Sequence, residues 1–288
     1  MRVLRTLLDD HLWAAPLKSG GVASERVALS FDPTRPVPTA FPRVVEGLDF
    51  DLAELSLPTF LQARALGRPL QLLPVVALAR VHHPYLVYDR SRGLLRPDQL
   101  EGRRVGIRLY GSGTGLWVRA ILQEDYGVDP EAIAWTAFEA PHLAEVRDPP
   151  WVARAAAGQE LFAMLFAGEL DAVIANVIPS DPRLATVIPD AAGAAALWRA
   201  DKGMVQVNHV MVASAALVAG APEAVGEAYR LMLRSKAATV DEGMNPMGPE
   251  AVRPCLELAI AWAARQGLAN DPPTAAALLA ETRSIAVE

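Results

Sequence analysis

The sequence predicts an α/β fold in two lobes, each a mostly parallel sheet flanked by helices, followed by a helical C-terminal region. Three observations predict it. Short β-branched runs alternate with longer Ala/Leu-rich helical patterns, as strands joined by helical crossovers do. A fresh strand–turn–helix series starts at "RVGIRLY", and the Ala/Gly-rich stretch 191–203 separates that series from "VNHVMVAS". From about Pro222 onward the apolar positions keep helical spacing, with Pro or Gly at the segment margins. The chain is therefore expected to leave its first lobe and return to it. Residues 1–84 and 208–288 form lobe 1, residues 85–207 form lobe 2, and the two crossings place a cleft between them.

Taken in order, "RVALSF" (26–31) reads as a strand. "DFDLAELSLPTFLQAR" (49–64) reads as a strand that stops and becomes a helix, with Ser56 or Thr59 as its N-cap. "QLLPVVAL" (71–78) is a strand that Pro74 assigns to an edge or a bend. "YLVYDR" (85–90) is the next strand, and a short helical turn at Pro97–Leu100 leads to "RVGIRLY" (104–110). "GSGTGLWVRAILQEDYGV" (111–128) is a Gly-rich turn and an amphipathic helix that stops at Gly127. "AIAWTAF" (132–138) is a strand, and "GQELFAMLFAGELDAVIAN" (158–176) is a helix, a Gly168 stop and a strand. "ATVIPD" (185–190) and "VNHVMVAS" (207–214) complete the strands.

Composition narrows the function. A chain of 288 residues buries about three quarters of its unfolded surface. With 52% hydrophobic and 21% charged residues it reads as globular. A net charge of −6, with arginines scattered among acids, argues against nucleic acid as a partner. Cys255 is the single cysteine and reads as a small buried residue on a helix face. No Cys/His cluster has zinc-site spacing, so neither a metal nor a cofactor is expected. Asp9 and Asp10 interrupt the N-terminal apolar positions too early for a secretory signal. No run of about 20 apolar residues is present to span a membrane, and a cytoplasmic location is expected.

Two strand-to-helix junctions draw attention. "YGSGTGLWVR" sets glycines at a helix start, where backbone N–H groups accept an anion, and Ser112, Gly113 and Thr114 are the candidate contacts. The plainer alternative is a capped helix after a tight turn. "AELSLPT" supplies a second junction, with Ser56 as the candidate. His83 and His209 lie at the two expected crossings, which puts both imidazoles at the floor of the expected cleft. Each is either a proton donor or base near neutral pH, or a structural ring bonded to a hinge carbonyl. Glu54 reads as a base, an orienter of a histidine, or a structural acid. Arg80 is a possible bidentate clamp for a carboxylate. Arg119 reads as a structural ion-pair partner, Trp117 as core, and His82 as pointing away from His83. His11 and His142 lack supporting context.

"FDLAELSLPTFLQARALG", "LEGRRVGIRLYGSGTGLWVRAILQEDYGVDPEAIAW", "LFAGELDAVIA" and "NHVMVA", in this order, resemble the 4,5-dihydroxyphthalate decarboxylase family, over roughly residues 20–240. The resemblance implies a two-lobed fold of the type 2 periplasmic-binding-protein kind, a ligand in the cleft, and non-oxidative loss of carboxylate from a (hydroxy)aromatic acid such as 4,5-dihydroxyphthalate. It also implies catalytic roles for His83 and His209, which fall where histidines recur in the family. The expected partner is thus a small-molecule aromatic carboxylate. At two places where family members carry arginine, this chain reads "HLWAAPLKSG" and "NVIP". A monocarboxylate or a different ring is therefore equally allowed. A non-catalytic solute-binding protein for a small organic anion is the alternative.

Overall fold

The computed structural model describes residues 1–240 and 243–285. Residues 241–242 and 286–288, part of the expected helical C-terminal region, lie outside the described residues. The strands are β1 (Arg2–Leu7), β2 (Val27–Phe31), β3 (Leu52–Ser56), β4 (Leu70–Ala79), β5 (Leu86–Asp89), β6 (Arg104–Ile107), β7 (Ala134–Ala137), β8 (Val152–Arg154), β9 (Ala172–Ile174), β10 (Leu184–Thr186) and β11 (Val207–Ser214). The helices are α1 (Ala15–Lys18), α2 (Phe41–Val45), α3 (Leu57–Ala65), α4 (Gly113–Tyr126), α5 (Leu161–Ala167), α6 (Ala191–Lys202), α7 (Ala215–Gly220), α8 (Pro222–Ala237), α9 (Pro249–Arg265) and α10 (Ala275–Glu281). The chain divides into two compact units. The first comprises Met1–Arg80, Val207–Ala264 and the chain from Leu268; the second comprises Val81–Gln206 and Arg265–Gly267.

The first unit is built on a five-stranded sheet in the order β2-β1-β3-β11-β4. β1 runs parallel to both β2 and β3, and β11 runs antiparallel to both β3 and β4. Sequence inspection passed over β1. Its alternation is short, with Arg2 and Arg5 exposed and Leu4, Thr6 and Leu7 buried. Pro74 sits on β4, the edge strand, as its missing N–H requires. That edge is covered: Val76 N–H donates to Pro246 O at 3.0 Å, and Gly248 N–H donates to Pro74 O at 2.8 Å. On one face α8 buries Val225, Ala228, Tyr229 and Met232 against Leu4, Trp13, Val75 and Met211. Each valine, leucine or methionine among them, fully buried, contributes about 1.5–3 kcal/mol. Trp13 also donates its indole N–H to Ala77 O at 3.0 Å. α3 is buried nearly all round from Leu57 to Ala63, so it lacks a polar face.

The second unit holds a six-stranded sheet in the order β10-β5-β9-β6-β7-β8. The run β9-β6-β7-β8 is parallel, and β5 is antiparallel to β9 and β10. A Cβ on Gly106 of β6 would stand 2.5 Å from Leu170 Cδ1 and 2.7 Å from Leu161 Cδ1, so those side-chain tips pack directly on the strand. α4 and α5 stop where expected, with Gly127 and Gly168 in the left-handed conformation. The stretch 191–203, expected to separate this strand–helix series from β11, does so as the helix α6 with Gly203 at its end. Its alanines have the highest helix propensity, and the Asp190 side chain caps it by accepting from Gly193 N–H at 3.1 Å. Among the described residues, no helix is long and apolar enough to cross a membrane.

Candidate active site

In the first unit, the antiparallel pairing of β3 and β11 sets His209 opposite Ser56 and Met211 opposite Glu54. Side chains two residues apart share a sheet face, so Glu54 and His209 are diagonal neighbours on one face. His209 donates from Nδ1 to Glu54 Oε1 at 2.6 Å. The other carboxylate oxygen, Oε2, accepts from His11 Nε2 at 2.8 Å and from the backbone N–H of Asp9 at 2.8 Å. His11 follows β1, the strand beside β3, so the end of one strand delivers it to the end of the next. Glu54 is wholly buried. Burial pushes its carboxyl upward, but the two imidazoles more than offset this and hold it well below the usual carboxylate range.

Aromatic rings brace both imidazoles. Phe41 meets His209 edge-on at 5.3 Å between centroids, and Trp13 lies parallel to His11 at 6.1 Å. The loop bearing His11 is stapled by two cations. Lys18 donates to Leu8 O at 2.7 Å and to Asp10 Oδ1 at 2.5 Å, and Arg35 pairs with Asp10 at 3.0 Å. An ionised carboxylate only accepts, so both nitrogens facing it carry hydrogens. That assigns the proton of the neutral His209 ring to Nδ1, so any proton exchange falls to Nε2. A carboxylate-held imidazole of this kind is an acid–base device.

The sequence candidates fall as follows. Glu54, Ser56 and His209 come together on β3 and β11, where Glu54 holds two histidines. Ser56 is the N-cap of α3, accepting from Thr59 N–H at 3.3 Å and donating to Thr59 Oγ1 at 2.7 Å. Arg80 follows β4 and is half-buried. His11, set aside at the sequence level, is a full member of the cluster. Its signal is faint: without β1 in view, nothing sets His11 beside Glu54.

In the second unit, Ser112 caps α4 by accepting from Gly115 N–H at 3.1 Å, and Gly113 is the first helical residue. The Thr114 hydroxyl is buried and has no hydrogen-bond partner among the described residues. Arg119 is not an ion-pair partner as expected. Its guanidinium is buried, lies 4.0 Å over the Tyr110 ring and forms no salt bridge among the described residues. Its distance from the helix start suggested a structural ion pair, whereas α4 turns Arg119 inward and buries it. His82 gives its backbone N–H and its Nδ1 to Gln206 Oε1, at 2.7 and 2.9 Å. His83 opens a 3₁₀ turn, His83–Tyr85, and its buried ring has no partner at either nitrogen among the described residues. Burial pushes its pKa down to about 4.

The His83 shift has a measurable sign. In the unfolded chain the ring takes up a proton near its ordinary value of 6.5, but in the fold only near about 4. Between those values the unfolded state binds more protons, so acidification opposes folding. The Tm of the wild-type chain is expected to fall as pH drops from 6.5 towards 4, and this contribution levels off below. In His83→Asn that part of the slope disappears, separating the two melting curves by a few degrees at the acid end. Parallel Tm–pH curves for the two proteins would show that the ring is solvated in the fold.

Among the described residues no group of three or more His, Cys, Asp or Glu side chains is disposed to hold a metal ion. No family model matches the chain. The chain is 31% identical over 208 residues to a 4,5-dihydroxyphthalate decarboxylase of Pseudomonas putida, covering 68% of this chain and 80% of the relative. It is 27% identical over 230 residues to a 4,5-dihydroxyphthalate decarboxylase of Comamonas testosteroni, covering 75% and 70%. In structure it is similar to a periplasmic sulfonate-binding protein of Methylobacillus flagellatus, with TM-score 0.57 and 12% identity over 100% of this chain and 96% of that one. At that identity the likeness shows the fold alone, which is of the periplasmic-binding-protein kind.

Proposed function

This chain belongs to the 4,5-dihydroxyphthalate decarboxylase family, and from that membership we propose that it is a non-oxidative decarboxylase of a hydroxylated aromatic carboxylic acid. 4,5-Dihydroxyphthalate is the first substrate to test. The observation that supports the reading most is the bond from His209 Nδ1 to the buried Glu54 carboxylate, at 2.6 Å. It holds the ring in one tautomer and one orientation, as a proton donor to carbon requires.

The chemistry runs without an outside electron acceptor. A hydroxyl para to the departing carboxylate makes the ring carbon that bears it basic. His209 Nε2–H gives its proton to that carbon, forming a C–H bond. The bond to the carboxylate carbon then breaks, its electron pair restores the aromatic ring, and CO2 leaves. The neutral imidazole recovers a proton from solvent. Glu54 offsets the charge on the protonated ring and acts as a positioning residue. The wider assignment is part of the same proposal: His83 as a second acid–base group, Ser56, Ser112, Gly113, Thr114 and Arg80 as substrate contacts, and a cytoplasmic location.

Incubation with 4,5-dihydroxyphthalate, followed by CO2 release and chromatography for 3,4-dihydroxybenzoate, tests the reading directly. Stoichiometric appearance of both products is the expected result. Thermal stabilisation by aromatic mono- and dicarboxylates with no CO2 from any of them would replace the enzyme by a binder of small organic anions.

A further inference from the structure

The second unit buries a cation that has no anion to bond. Arg119 is fully enclosed on α4. Its Nε donates to Gln266 Oε1 at 2.9 Å, and the guanidinium lies over Tyr110 at 4.0 Å and near Trp135 at 5.8 Å. Both terminal nitrogens, Nη1 and Nη2, are buried without a hydrogen-bond partner among the described residues. Asp148 acts on this cation only through space, and its carboxylate is bonded to Arg154. A guanidinium does not shed its proton in a protein, so the charge persists. One hydrogen bond and two aromatic faces offset only part of what a buried, unpaired charge costs.

The group is directed at one place. A side chain on a helix leans towards the N-terminus, and Arg119 lies one turn beyond Gly115. A Cβ built on Gly115 would stand 2.9 Å from Arg119 Nη1, so the guanidinium reaches the first turn of α4. That turn also holds the unpartnered, buried Thr114 hydroxyl. Gly111 and Ser112, just before it, are half-exposed. Backbone N–H groups at a helix start favour negative charge. A forked guanidinium, a hydroxyl and a helix start therefore gather unfilled donors at one end of one helix.

We infer that Arg119 and Thr114, with the first turn of α4, form a seat for the carboxylate of an organic acid. The guanidinium takes the two carboxylate oxygens side by side, and the Thr114 hydroxyl donates to one of them. Naming an aromatic carboxylate as the occupant rests on the decarboxylase reading. The seat is tested by equilibrium binding without turnover, so either idea fails without the other.

The probe is phthalate, with benzoate alongside, measured by calorimetry and thermal shift on the full chain. Thr114→Val, which keeps the volume and removes the hydroxyl, is expected to weaken phthalate several-fold. Arg119→Met is expected to weaken it roughly tenfold or more, the loss typical of a charge-assisted hydrogen-bond pair. The same Arg119→Met chain, relieved of an unpaired buried charge, is expected to melt no lower than wild type without ligand. Wild-type affinity in Thr114→Val overturns the inference, and this variant decides the matter if Arg119→Met does not fold. Failure of the unaltered chain to bind either probe also overturns it.

Discussion

His209→Asn is expected to lower the rate of CO2 release from 4,5-dihydroxyphthalate by about 10²–10⁴-fold, the range that a positioned general acid contributes. The affinity for a non-reacting analogue such as phthalate should stay near that of wild type. Asparagine is chosen because its side-chain amide still donates to Glu54 while offering no group that releases a proton near neutral pH. The loss should therefore fall on kcat and spare KM, the pattern of an interaction that matters only in the transition state. Turnover at the wild-type rate in this variant would take His209 out of the mechanism and move the search for the proton donor to His83 and His11.

Glu54→Gln carries the second large effect, on stability as well as rate. The carboxylate accepts three hydrogen bonds, from His209, His11 and the backbone of Asp9. Glutamine has one acceptor oxygen, and its amide group is a donor facing donors. One imidazole then loses its partner inside the protein or switches tautomer to accept from the amide. Each orphaned buried group costs about 1–3 kcal/mol. For a chain of this class that lowers Tm by roughly 2–4 °C per kcal/mol. The same change frees the His209 ring to rotate and to switch tautomer, so CO2 release should drop by about 10²-fold or more. The stability loss should shrink in a chain that also carries His11→Leu and His209→Leu, because no unpaired imidazole remains. A Glu54→Gln protein with the melting temperature and kcat of wild type would reduce the cluster to a surface ornament and remove its positioning role.

The parts of this molecule legible from sequence are those with local causes. Left-handed glycines end α4 and α5 at Gly127 and Gly168, a serine caps each of α3 and α4, and Pro74 marks an edge strand. Each depends on a few neighbouring residues, and each was visible as such. The misreadings were also local. β1 is short and starts next to the N-terminus, so its alternation was weighed only as a possible signal segment. The stretch that forms α6 was read only as an Ala/Gly-rich separator, although its alanines favour a helix.

The site was legible only in part. Glu54 and His209 were singled out by residue type and by their place at strand ends, yet what joins them is a bond across 155 residues of sequence. His11 reaches the same carboxylate across 43 residues and was invisible until β1 took its place beside β3. Arg119 shows the same limit from the other side. Helical periodicity places it on α4, but only packing determines that it points into the protein over Tyr110 instead of out to a surface acid.

By itself, the sequence determined the α/β class, the helix starts and stops and the residue types available for proton transfer, because backbone preference and apolar periodicity act over a few residues. Tertiary structure alone decided which of those residues share a carboxylate and which charge is left without a partner. Those outcomes depend on strand register and on burial, which arise only when segments far apart in the chain are brought together.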